Sequence, residues 1–490
     1  MRRRVVAVVA LIAAVTLWAW MAAYAQNPTR AGARSKAGAA VRRPAEAVAA
    51  RREFRYVGSA SCAASNCHGG DGSRQSGAIS DPLSPEAYSL WIQKDPHAQA
   101  YAVLHEPRSL EMTRILGWAE APHEARCVAC HSIDATRSEL VANAKHTLHD
   151  GVGCEACHGP AEAWLDQHKQ TDVWSKKTIE EKSSLGFRDL KDIVERTQMC
   201  TECHVGSAGR DVYHDLIAAG HPRMTFEMSA YHANLPKHWQ GEIVPRGELD
   251  ARLWITGQVA AARSSVELLA QRVGNEKAPW PEFAEYDCFA CHHDLADPSW
   301  RQAESGGLRA APPGTAEWGS WYFSMLPLLV DEEQTGATRT LAALREEMQR
   351  PLPDRAKIQG LAKVAAAELE ELARRVAGES MNAAAQARWL ARLSDVEGSP
   401  LSGGWDVVAL RFLGCAAMNF STAAAVEGGG AKPQAADVEE NLARVRELLR
   451  FSTDSAETTF ASPRDYTSDR RQKLREALDA IHQRARAEAE

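Results

Sequence analysis

Cys127-Val128-Ala129-Cys130-His131 is the stretch on which the reading of this chain turns. Its spacing recurs as Cys154-Glu155-Ala156-Cys157-His158, Cys200-Thr201-Glu202-Cys203-His204 and Cys288-Phe289-Ala290-Cys291-His292. A wider version, Cys62-Ala63-Ala64-Ser65-Asn66-Cys67-His68, precedes them, with four residues between its thiols. Two thiols on one short helical turn can reach the two vinyl groups on one edge of a porphyrin, and the histidine that follows then places an imidazole under the iron. The pattern predicts five covalently attached haems c, held by Cys62, Cys67, Cys127, Cys130, Cys154, Cys157, Cys200, Cys203, Cys288 and Cys291. The proximal iron ligands are then His68, His131, His158, His204 and His292. At the wide first site the two extra residues must bulge outward.

Other uses of paired cysteines fit less well. Disulfides suit an exported chain, but nothing in their chemistry calls for histidine after every second cysteine. Structural zinc takes four ligands from two converging pairs, and five pairs cannot all be matched. Of the 11 cysteines, Cys415 is left over, in the apolar run Val407 to Gly414, and reads as a buried core thiol. The rest of the composition is that of a globular protein: 490 residues, 45% hydrophobic and 25% charged, with 33 Gly and 22 Pro. That excludes a wholly disordered chain, a collagen and a polytopic membrane protein. A net charge of −7 gives no reason to expect a nucleic-acid partner.

Arg2, Arg3 and Arg4 precede an apolar run from Val5 to Ala25 that closes in Ala23-Tyr24-Ala25. This is the layout of a secretory signal, and the run is also long enough to stay as a single anchor. Either reading exports the rest of the chain to the periplasm or beyond and differs only in attachment to the inner membrane. Residues 26–55, rich in Ala, Gly and Arg, read as a basic disordered linker.

A second imidazole on each iron would close it. Seventeen histidines less five proximal ones leave twelve, all but His482 between His97 and His293. The distal candidates are His97 after Pro96, His168 in a helix-like stretch ten residues past the third site, His214 and His221 seven apart, and His232. His105, His123, His146, His149, His238 and His293 rank below them.

The expected fold is mainly α, in two parts. Residues 56–300 form a pentahaem module of short helices and loops wrapped on the haems, with one long helix, Asp250 to Val273. Residues 301–316 read as a linker, and 317–490 as a helical bundle. Ile358, Leu361, Ala365, Leu369, Leu372 and Val376 mark one amphipathic face of that bundle. Further helices are predicted at 338–349, 381–393, 405–425, 438–451 and 463–487.

The residues from Cys62 to about His204 resemble the tetrahaem cytochrome c-554 family, related to the multihaem core of hydroxylamine oxidoreductases. The resemblance rests on Trp91 to Ala100, a Trp-x5-His-Ala-x-Ala segment. It also rests on the Cys127 motif and on Gly151-Val152-Gly153-Cys154-Glu155-Ala156-Cys157-His158-Gly159-Pro160 with His168 beyond it. The resemblance implies that His97 and His168 are distal ligands and that the iron on His131 is the five-coordinate one. The wide first site, the fifth site, the histidine-rich stretch from His214 to His238 and the long C-terminal region depart from that family. Extra histidines such as His149 could close the open iron.

The expected function is electron transfer through five haems between a protein donor and a protein acceptor. The alternative is an oxidoreductase acting on a small nitrogen or sulfur compound at one open iron. Redox partners, oligomeric state and the role of the C-terminal helices stay open.

Overall fold

The computed structural model describes residues 54–70, 86–133, 138–239, 246–288, 291–292, 316–319, 321–329, 336–396, 404–427, 434–450 and 468–489. All of them belong to one of the chain's two units, Glu53–Glu490. The N-terminal apolar run, nearly all of the basic linker, His293 and nearly all of the 301–316 segment lie outside the described residues. Among the described residues there is no strand, only isolated bridges such as Tyr56 with Leu140. The fold is mainly α, as the residue patterns predict.

The first half is built from short helices. They are α1 (Ala87–Lys94), α2 (Pro107–Leu116), α3 (Ala125–His131), α4 (Cys154–His158), α5 (Ile193–His204), α6 (His214–Ala218) and α7 (Met228–Asn234). Each is too short to persist alone. Caps and side chains from distant loops hold them: Asp192 starts α5 by accepting from the backbone N–H groups of Val194 (2.8 Å) and Glu195 (3.2 Å).

The long helix α8 (Arg246–Gly274) changes the architecture. The sequence predicts one long helix there, and the structure buries it on nearly every side: Leu253, Trp254, Val259, Ala260, Ala262, Val266 and Leu269 have no exposed surface. A helix apolar all round belongs in the middle of a core. On one side α5 and α7 pack against it, with Ile193, Val205, Phe226 and Met228 meeting Leu249 and Leu253.

On the other side lie the C-terminal helices α9 (Gly336–Met348), α10 (Arg355–Ala377), α11 (Ala383–Ser394), α12 (Gly404–Glu427), α13 (Gln434–Leu449) and α14 (Ser468–Ala489). The predicted face of α10 is buried at Ile358, Ala365, Leu369, Leu372 and Val376, and α8 is its main partner. Each such side chain contributes about 1.5–3 kcal/mol by leaving water. One apolar core therefore runs from Val194 through α8 to Ile481 on α14. Gly414 lets α12 approach α8: a Cβ there would fall 2.7 Å from the Trp254 ring. Cys415 beside it is fully buried, and burial pushes its thiol up to about 12. Among the described residues, no helix is long and apolar enough to cross a membrane.

Candidate functional site

Three of the Cys-x-x-Cys-His motifs fall on helix: the second ends α3, the third is α4 itself, and the fourth ends α5. At the fifth, the His292 N–H donates to the Cys288 carbonyl (2.8 Å), again one helical turn. The first motif closes differently. The His68 N–H reaches back to the Cys62 carbonyl (3.3 Å), while Ala64, Ser65 and Asn66 are exposed. The extra residues loop outward, and both thiols and the imidazole still lie on one turn.

The motifs are fastened to one another by backbone bonds. Glu155, inside the third motif and 2% exposed, accepts from the N–H groups of Val57 (3.0 Å), Gly58 (2.8 Å) and Ala161 (2.7 Å). Its carboxylate ties the lead-in of the first site to the exit of the third. Burial nonetheless pushes its acidity above the usual carboxylate range, against those bonds. Gly151, at φ +61°, lies where a Cβ would come within 2.5 Å of the His97 carbonyl oxygen, so only glycine fits. That carbonyl accepts from Val152 N–H (2.9 Å), and the Trp91 indole donates to the Val152 carbonyl (3.1 Å). The Trp91–Ala100 segment and the Gly151–Pro160 segment are thus two halves of one structure.

Two thiol pairs meet across motifs: Cys62 is hydrogen-bonded to Cys154, and Cys130 to Cys203. These contacts and burial push Cys62 and Cys130 up. Burial drives Cys127 up to about 11, and Cys157 and Cys200 up to about 12. The thiol–thiol bonds lower the partners Cys154 and Cys203, the latter to about 7, so neutral sulfur is favoured at Cys62, Cys127, Cys130, Cys157 and Cys200 and not at those two.

The histidines form pairs. Ring centroids lie 6.0 Å apart for His68 and His168, 6.0 Å for His204 and His97, and 6.5 Å for His131 and His221. They lie 6.5 Å apart for His158 and His238, and 6.5 Å for His292 and His214. Two imidazoles trans on one metal should stand about 6.2 Å apart, given a bond of about 2 Å and about 1.1 Å from nitrogen to ring centre.

In several of these pairs the Nδ1 atom is held as a ligand requires. His97 Nδ1 faces the Asp95 carboxylate at 2.9 Å, and Asp95 also caps the turn Pro96–Gln99. His131 Nδ1 faces the Ala100 carbonyl at 2.8 Å and His221 Nδ1 that of Pro222 at 2.8 Å. A proton fixed on Nδ1 leaves Nε2 as the free donor atom. Burial pushes His158 and His204 down to about 4 and lowers His131, His168 and His221, so these rings are neutral at pH 7.

The structure thus brings His97, His168, His214 and His221 each to a proximal imidazole. His214 and His221 serve different partners because α6 ends at Ala218 and Gly220, at φ +126°, turns the chain between them. His232 is not brought to a proximal ring. Its Nε2 lies 3.1 Å from the Arg196 guanidinium, which donates to it. The histidine facing His158 is His238, in the loop after α7, with Nδ1 3.3 Å from the Pro236 carbonyl. Its only sequence signal is Pro236 two residues earlier, the same cue as Pro96 before His97. The ring that faces His131 is also a departure from the open position implied by the family resemblance.

Orphaned buried polar atoms complete the test of fit. The nitrogens of His146, Nδ1 of His168 and Nε1 of Trp164 are buried without a hydrogen-bond partner, within the module that carries the motifs, His146 Nδ1 lying 3.9 Å from the Asp150 carboxylate. Thiol pairs on single turns, paired imidazoles and unfilled polar groups suit haem c, and together they define a c-type cytochrome. Residues 61–159 match the family model of cytochrome c554 and c-prime. The similarity of this stretch to that family supports a c-type cytochrome with covalently bound haem that serves in electron transfer. No curated protein and no solved structure matches the chain.

Proposed function

We propose that this chain is an exported pentahaem cytochrome that passes electrons between a donor and an acceptor protein, with both axial positions of every iron closed by histidine. Haem c, when bound, supplies a one-electron ferric–ferrous couple. The observation that carries the reading is the second imidazole 6.0–6.5 Å from every proximal histidine. The axial pairs in this reading are His68 with His168, His131 with His221, His158 with His238, His204 with His97, and His292 with His214.

The chain's residues then do three things. The thiols fix position, Asp95 and the carbonyls of Ala100 and Pro222 orient the imidazoles, and burial keeps the His131 and His221 rings unprotonated. A closed site does not admit a small substrate, so the electron carrier is favoured over an oxidoreductase with one open iron. Export rests on Arg2–Arg4 and the Val5–Ala25 run, and a cleaved signal or a retained anchor serves this function equally.

The test is optical. Haem content from the pyridine derivative should come to five per chain, and carbon monoxide should leave the dithionite-reduced spectrum unchanged. A carbon monoxide response worth one haem in five would overturn the closed reading. Mass spectrometry of the N-terminus decides whether residues 1–25 are removed.

A further inference from the structure

The five histidine pairs at the cysteine motifs have a sixth counterpart with no cysteine. His105 and His149 stand 6.1 Å apart, centroid to centroid, with ring planes 11° apart. His68 and His168, on the first motif, stand 6.0 Å apart at the same 11°. The two separations agree within 0.1 Å and the interplanar angles are equal, yet the His105 pair belongs to no attachment motif.

Tyr101 holds it. Its ring is set edge-on against His105 (5.3 Å, 76°) and against His149 (5.2 Å, 87°). Tyr101 is itself 4% exposed, its hydroxyl donating to the Pro122 carbonyl (3.1 Å). It packs with Leu104, Val128 and Cys127, so a rigid apolar patch beside the second motif supports both imidazoles. His105 and His149 are both exposed, and among the described residues neither ring has a hydrogen-bond partner.

We propose that His105 and His149 form a thiol-free bis-imidazole site that takes one copper ion at the protein surface. Affinity for nitrogen donors among divalent first-row ions peaks at copper(II), whose tetragonal geometry accepts two imidazoles with water in the remaining positions. Zinc is the poorer fit, since its sites take at least three protein ligands. Among the described residues no group of three or more His, Cys, Asp or Glu is placed to hold a metal.

The experiment is equilibrium dialysis of the untagged, air-oxidised holoprotein against copper(II), followed by metal analysis and X-ray absorption at the copper edge. The expected result is one copper per chain beyond the haem iron, with two imidazoles in its first shell. His105→Gln and His149→Gln should each weaken binding at least tenfold and leave the haem spectrum as it was. Wild-type protein that retains no copper overturns the proposal. So does a double variant that retains as much as wild type, or a sixth, non-covalent haem found at the pair. The outcome does not depend on how the five irons are ligated.

Discussion

Glu155→Ala should loosen the join between the first and third motifs. In the wild-type protein one buried carboxylate serves the N–H groups of Val57, Gly58 and Ala161. Alanine orphans all three, and each buried orphan costs about 1–3 kcal/mol. Taking the low end because water can enter the space left, the local cost is about 3 kcal/mol. At about 1.4 kcal/mol per factor of ten, that is about 100-fold in the local opening equilibrium. Hydrogen–deuterium exchange read by mass spectrometry should show it in peptides covering 56–61 and 160–164. Peptides from the middle of α8 should be unchanged.

Glu155→Gln keeps one acceptor oxygen and should fall between the two. Acidity adds a second readout. Burial holds the folded-state value above the ordinary 4.5. The group's contribution to stability is therefore complete below pH 4.5 and is lost as pH rises through the folded value. Wild-type thermal stability should carry that slope, and Glu155→Gln should lack it. Exchange in both segments within threefold of wild type for Glu155→Ala would refute the clasp.

Three further outcomes follow from the same geometry. His238→Ala should open one iron, giving a carbon monoxide response of about one haem in five in the reduced spectrum, whereas His232→Ala should give none. Gly414→Ala drives a methyl to 2.7 Å from Trp254 and should cost about 1–3 kcal/mol in thermal or denaturant unfolding. Gly360→Ala, with open space around it on α10, should gain up to about 1 kcal/mol. Arg272→Ala removes the guanidinium held between Asp211 (2.5 Å) and Glu285 (2.7 Å) and leaves a buried carboxylate, at about 3–5 kcal/mol. Burial already pushes Glu285 up. The loss should shrink as pH falls from 7 toward 5, where the unpaired carboxyl protonates; an equal loss at both pH values would argue against it.

What the sequence made legible was local. Cysteine spacing carries its own geometry, so the turns that bring two thiols and an imidazole together could be read without a fold. Three- and four-residue apolar steps placed α10 within a few residues. The partners of the proximal histidines were not legible in the same way, because pairing is a long-range closure. His97 meets His204, 107 positions on, and His221 meets His131, 90 positions back.

Density of histidine was a poor guide where the chain turns. His232, in the crowded stretch, turns to Arg196, while His238, in a short loop after a proline, meets His158. The reading of α8 shows a related limit. The sequence showed a long helix there, and only the packing of α5 on one side and α10 on the other reveals why its alanines are buried.

The shared core bears on how small this protein can be made. The fifth motif follows α8 directly, and its lead-in is pinned by chain from beyond it. Asp287 N–H bonds to the Glu317 carbonyl (2.7 Å), Gly319 N–H to that of Glu285 (3.1 Å), and the Trp318 indole to the Glu285 carboxylate (3.0 Å). A truncation near residue 300 would strip the cover from Val259, Val266 and Leu269 and remove the strap beside Cys288 in one cut. The C-terminal helices thus serve as scaffold for the half that carries the cysteine motifs, and a fragment cut near residue 300 is expected to lose its fold around the last motif.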